Sequence, residues 1–184
     1  MSHYSIEDFL LDIVQNSCEA GASELRVEVA ESPLRLDVLI SDDGKGMDEA
    51  LQARVLDPFY SEPGKHPGRK VGLGLPFLKQ ATEMTGGGFS LRSAPGRGTA
   101  VGFTFLRGHV DCPPMGSMAD ILFSLLCLPG APRMSIRRRL EDESGTVLKD
   151  YEIRKTELIE ILGSLEEVSS LALLKEFLRS QEEA

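Results

Sequence analysis

The sequence contains no apolar run approaching the ~20 residues that a membrane-crossing helix needs. Its longest candidate, Ile121 to Leu128, is interrupted by Ser124 and ended by Pro129 and Gly130. The first residues, Met1 to Glu7, lack the basic-then-apolar order of a signal peptide, so a cytoplasmic location is expected. Cysteine is scarce. Cys18, Cys112 and Cys127 are far apart, form no C-x-x-C pair and have only three histidines to help them hold a metal. Reduced, packed thiols follow from that pattern. Basic charge is also in deficit: Lys and Arg number 20 against 29 Asp and Glu, for a formal charge of -9. Holding nucleic acid by phosphate neutralisation is therefore not expected. What remains is substantial, since the 184 residues are 41% hydrophobic and 27% charged, enough to bury a real core.

Periodicity organises the chain. Ile6, Phe9, Leu10, Ile13 and Val14 have helical spacing, with Ser5 as N-cap and Gly21 as C-terminal stop. Leu25, Val27 and Val29 then alternate with polar residues, as do Leu34, Leu36, Val38 and Ile40, which predicts a hairpin. Asp48 to Leu56 reads as a short helix, Asp57 to Lys70 as a long loop and Gly72 to Met84 as another helix. Phe89 and Leu91, then Val101, Phe103 and Phe105, predict two strands joined at Pro95 to Gly98.

Beyond Arg107 the Cys112-Pro113-Pro114 segment suggests a boundary, giving units over 1–107 and 108–184. The second unit reads as a helix (Met118 to Leu128), a hairpin (Met134 to Leu140 with Val147 to Ile153) and a helical tail. Ser164 and Glu167 have capping-box spacing in that tail. Its apolar stripe, Leu158, Ile161, Leu165, Val168, Leu171, Leu174 and Leu178, either packs on the chain's own core or offers a face to a partner or a second copy. Arg137, Arg138 and Arg139 fall on one strand, where alternation sends them to opposite faces, and a solvated edge rather than an anion site is expected.

Chemistry-bearing residues recur in four places. Asp12, Asn16 and Glu19 stack on one stripe of the first helix. Asp42-Asp43-Gly44-Lys45-Gly46-Met47 follows a strand directly; it is also a common turn, but Gly44 and Gly46 let backbone approach a flat ligand. Gly72-Leu73-Gly74-Leu75 opens a helix, where free backbone N–H groups favour anions. Gly96-Arg97-Gly98-Thr99 stands at a strand start.

In this order the four segments resemble the N, G1, G2 and G3 boxes of the GHKL superfamily, the ATP-binding fold of sensor histidine kinases, gyrase-type topoisomerases and mismatch-repair ATPases. The match covers about residues 5 to 107. The resemblance implies an α+β two-layer sandwich, with helices on one face of a mixed, mostly antiparallel sheet, followed by a small α/β C-terminal extension. It implies ATP and Mg2+ as cofactors. Asn16 would bind the metal, Asp42 would accept from the adenine amino group, and Gly44, Gly46 and Met47 would line the base pocket. Gly72, Leu73, Gly74 and Leu75 would cradle phosphates, beneath a lid running from about Ser61 to Val71. Glu19, Ala20, Phe59, Lys65, Lys70, Val71 and Thr99 complete the implied nucleotide site.

Two departures bear on activity. Where hydrolytic relatives carry a general-base Glu, this chain has Asp12, one methylene shorter, so slow or absent hydrolysis is expected. The first glycine of the G2 box is replaced by Lys70. Only His3 and Tyr4 stand before the first helix, and neither His66 nor His109 has a preceding helical hairpin, so conventional histidine autophosphorylation is not expected. The segment after the boxes carries 9 basic and 14 acidic residues, which does not suit DNA. Two readings remain: an ATPase or Ser/Thr-type kinase that regulates a partner protein through the C-terminal extension, and a non-catalytic module switched between ATP and ADP forms.

Overall fold

The computed structural model describes residues 4–58, 74–130 and 133–183. The chain opens on α1 (Ile6–Glu19), whose N-terminus is closed by a reciprocal capping box: Ser5 Oγ accepts from the Asp8 N–H at 3.1 Å, and the Ser5 N–H donates to Asp8 Oδ2 at 2.8 Å. A hairpin of β1 (Glu24–Glu31) and β2 (Arg35–Asp42) follows, then α2 (Glu49–Val55), capped by Asp48, and α3 (Gly74–Met84). β3 (Gly88–Ser93) and β4 (Thr99–Leu106) complete the first part. The remainder is α4 (Met118–Cys127), β5 (Arg133–Glu141), β6 (Val147–Arg154), α5 (Lys155–Leu162) and α6 (Val168–Glu183). Among the described residues, no helix is long and apolar enough to cross a membrane.

The strands form one six-stranded sheet in the order β3-β4-β2-β1-β5-β6. Among the described residues, only β1 and β5 pair in parallel; the other neighbours are antiparallel. The period of two decides the two faces. Register places Val27 beside Ile40 and Ile136, and Val38 beside Phe103, so one face is an apolar floor covered by helices. Ile6, Phe9, Leu10, Ile13 and Val14 of α1 pack into this core with Leu78 of α3, Ile121, Leu122 and Leu125 of α4, and Leu174 and Leu178 of α6. The opposite face carries paired charges, among them Arg26 with Glu28 at 2.9 Å and Arg137 with Asp150 at 3.0 Å.

The three arginines of β5 do not share a solvated edge. β5 is not an edge strand, because it lies between β1 and β6, and Arg138 points into the helix-covered layer at 1% exposure. It is tolerated there because Glu31 of β1 and Glu182 of α6 flank it, and Glu31 also accepts from Arg107. Tyr151 donates to Glu182; burial and that carboxylate push its phenol upward.

The tail differs from expectation in two ways. α6 begins at Val168, so Ser164 does not cap it; its hydroxyl accepts from the Glu166 N–H at 3.1 Å inside the preceding turn. The apolar stripe is also divided. Leu158, Leu174 and Leu178 are buried, whereas Ile161 and Val168 are 78% and 84% exposed. Gly163, at φ 79°, ends α5, and the exposed members of the stripe are those nearest the α5–α6 connection, while Leu158 on one side and Leu174 and Leu178 on the other reach the core.

Candidate functional site

Two faces of α1 serve two purposes. Its apolar stripe enters the core, and the adjoining flank brings Asp12, Asn16, Glu19 and Ala20 to a cavity of about 170 Å³ between α1, the end of β2, α2 and the start of α3. Asp42, Gly46 and Met47 form the wall contributed by the β2 end and the segment after it. Gly74, Leu75 and Thr99 close it from α3 and β4.

Asp42 is held with care. Its Oδ1 accepts from the backbone N–H of Gly44 at 2.9 Å and of Thr99 at 3.2 Å, and its Oδ2 accepts from Ser17 Oγ at 2.6 Å. A carboxylate offers about four acceptor positions, so one remains, and Asp42 lines the cavity. Gly44 acts through this carboxylate rather than as part of the cavity wall. The surrounding backbone is fixed by close approach. Gly98 has φ +77°, and a Cβ there would lie 1.8 Å from the carbonyl oxygen of Asp42, so any other residue would push β4 off the β2 end.

Asn16 Nδ2 donates to Asp12 Oδ2 at 3.2 Å, which leaves the amide oxygen Oδ1 as the acceptor of that side chain. Asp12 also lies directly against the start of α3: a Cβ on Gly74 would come within 1.7 Å of Oδ2. The loop after β2 is tied to both ends of the site. The Lys45 N–H donates to the Ala20 carbonyl at 3.0 Å, and the Met47 N–H donates to Ser93 Oγ at 2.8 Å.

Residues 4–109, more than half of the chain, match the family described as Histidine kinase-, DNA gyrase B-, and HSP90-like ATPase. The chain belongs to this family. Among curated relatives of this ATPase family member, the sensor protein kinase FleS of Pseudomonas aeruginosa is 43% identical over 116 residues, covering 60% of this chain and 27% of FleS. The virulence sensor protein BvgS of Bordetella bronchiseptica is 32% identical over 113 residues, covering 56% of this chain and 8% of BvgS. The chain spans less than a third of the length of either relative. Among solved structures, the catalytic domain of histidine kinase ThkA aligns with 54% of this chain and 65% of its own, at 20% identity and a TM-score of 0.41.

The ATPase fold thus brings Asp12, Asn16, Glu19, Ala20, Asp42, Gly46, Met47, Gly74, Leu75 and Thr99 around one cavity. Phe59, Lys65, Lys70, Val71, Gly72 and Leu73 lie outside the described residues. The motif reading missed Ile13, Ser17, Lys45, Leu51, Val55 and Val101, which also line it. Ser17 had a legible signal. It continues the buried stripe of Leu10, Ile13 and Val14 and is 4% exposed, and a hydroxyl in a core position requires a partner. Leu51, Val55 and Val101 had none, because apolar residues of a short helix and a strand look alike whether they line a core or a cavity.

The three cysteines are free thiols, and burial pushes each of them upward from the ordinary thiol range. They form no metal cluster among the described residues.

Proposed function

We propose that the cavity binds Mg-ATP and that this chain is an ATP-dependent regulator of a partner protein, acting as an ATPase or a kinase. The observation that supports this most directly is the remaining acceptor position of Asp42. The exocyclic amino group of adenine is a donor and satisfies it, whereas the carbonyl that guanine presents at the same place would set acceptor against acceptor.

The donor set fits a divalent cation. Among the described residues lining the cavity, Asp12, Glu19 and Asp42 carry negative charge and Lys45 alone is cationic, so a triphosphate entering by itself meets net repulsion. Asn16 Oδ1 would hold Mg2+, whose role is to bridge phosphate oxygens and neutralise their charge. The backbone at Gly74 and Leu75, in the first turn of α3, would face the phosphates with free N–H groups.

Calorimetric titration tests this reading: Mg-ATP and Mg-ADP are expected to bind, with GTP weaker by about tenfold or more. Equal affinity for GTP would remove the assignment of Asp42.

In the catalytic version of this reading Asp12 is the base, taking the proton of the attacking water or hydroxyl. A non-catalytic, nucleotide-sensing version is favoured by one observation: Asp12 is wedged between Asn16 Nδ2 and Gly74, a placement suited to orienting the amide. Asp12→Asn separates them. If Asp12 is the base, turnover of labelled ATP falls by about a hundredfold or more while Mg-ATP affinity stays within about threefold. Unchanged turnover excludes it as base.

A further inference from the structure

The turn joining α5 to α6 presents apolar surface that the chain's own core does not use. Ile161 is 78% exposed and Val168 84% exposed, on either side of Gly163, with Leu162 and Leu165 half-buried between them. Farther along the same two helices Ile159 and Leu173 are 41% and 54% exposed. The charges nearest the turn are acidic. Glu160, Glu166 and Glu167 are exposed, Glu157 is paired with Arg154 at 3.0 Å, and no Lys or Arg occurs from Thr156 to Val168. The nearest cation on α6, Lys175, is drawn away to Asp120 of α4 at 3.3 Å.

Apolar side chains rimmed by carboxylates select their occupant by charge. A second copy of this chain would bring the same acidic corner and a formal charge of -9, so self-association there sets like against like. An amphipathic helix with apolar residues on one face and Lys or Arg flanking it satisfies both features: its apolar face covers Ile161 and Val168, and its cations meet the glutamates. We propose that the α5–α6 corner is the docking site for a basic amphipathic helix of a partner protein. This names the surface and the partner chemistry for the regulatory reading above, and rests on that reading only for its purpose.

The corner is also tied to the nucleotide side of the molecule. Lys155, the first residue of α5, donates from Nζ to the Leu128 carbonyl at 2.7 Å. The chain just beyond Leu128 packs on α1, where a Cβ on Gly130 would stand 3.3 Å from Cys18 Cβ. Cys18 adjoins Ser17, the residue bonded to Asp42.

The test uses the whole chain and a fluorescent synthetic helix bearing Leu on one face and Lys on the other, with a Glu-for-Lys version as control. The Lys helix is expected to raise anisotropy, the Glu helix not, and added salt to weaken the complex. Ile161→Ser/Val168→Ser and Glu160→Lys/Glu166→Lys are each expected to weaken binding by about tenfold or more; all four side chains are exposed, so the fold tolerates the changes. Absence of binding to the wild type, equal binding of both helices, or unchanged binding in both variants overturns the proposal. So does a sedimenting dimer that Ile161→Ser/Val168→Ser dissolves, because a second copy would then be the occupant. Mg-ATP titration of the same samples keeps the two readings apart: protein that takes the helix but not nucleotide refutes only the nucleotide assignment, and the converse refutes only the corner.

Discussion

Asp42→Asn is expected to lower Mg-ATP affinity by about one to two orders of magnitude, from the ~1.5–3 kcal/mol that a hydrogen bond to a charged group contributes. The substitution is informative because it spares the scaffold. The asparagine carbonyl can replace Oδ1 and still accept from the Gly44 and Thr99 N–H groups, while the new amide NH2 replaces Oδ2 and donates to Ser17 Oγ, a hydroxyl that can reverse its role. What changes is the position facing the cavity, now a donor where it was an acceptor. Adenine's amino group then meets another donor, and guanine's carbonyl meets one that suits it. The ratio of ATP to GTP affinity should therefore fall more than the ATP affinity alone. Parallel calorimetry with both nucleotides, alongside thermal melts to show an intact fold, measures this. A variant that keeps the wild-type ratio would place the base elsewhere.

The second large effect concerns the fold. Arg138→Ala is expected to destabilise the protein by roughly 3–5 kcal/mol, the cost of removing one member of a buried ion pair. Arg138 is 1% exposed and joins Glu31 of β1 to Glu182 of α6, and its Nε faces Glu182 Oε1 at 3.5 Å without a hydrogen bond. Removal leaves two carboxylates in the layer between sheet and helix, of which Glu31 retains Arg107 and Glu182 retains Tyr151. α6 should loosen first, since Glu182 fastens its last turn. Urea unfolding gives the magnitude, and hydrogen exchange along α6 gives the location. Replacing Arg138, Glu31 and Glu182 together by Met, Leu and Leu should recover part of the loss, because no unpaired carboxylate is then left in the layer, although Arg107 and Tyr151 lose their partners. If the single variant is as stable as the wild type, the network carries no energy.

Much of this was legible before any coordinates. The alternation of Val27, Val29, Val38 and Ile40 with polar neighbours specifies a sheet with one buried face, and Ile6, Phe9, Leu10, Ile13 and Val14 specify a helix able to cover it. The N-cap at Ser5 and the stop before Gly21 follow from local hydrogen-bond chemistry that does not depend on the rest of the fold. Family membership was legible for a different reason. Asp12, Asn16, Asp42, Gly74 and Thr99 are polar or small residues where a packed domain would not require them, and their order along the chain survives in sequence.

The tripeptide Arg137-Arg138-Arg139 shows where local reading ends. Nothing in it says that β5 lies between β1 and β6, because strand order depends on which neighbours a chain finds after a long excursion, and period-two alternation is the same at an edge as in the interior. Likewise the tail's regularly spaced apolar residues could not show which would be buried, since both α5 and α6 reach the core only away from the connection at Gly163. Sequence alone determined most of the elements, the apolar faces and the family, because these depend on spacing and side-chain chemistry within a few turns. Only the tertiary structure decided that Ser17 holds Asp42, that Arg138 is buried and that the α5–α6 corner stays uncovered, because each is a contact between segments distant along the chain whose approach no local pattern encodes.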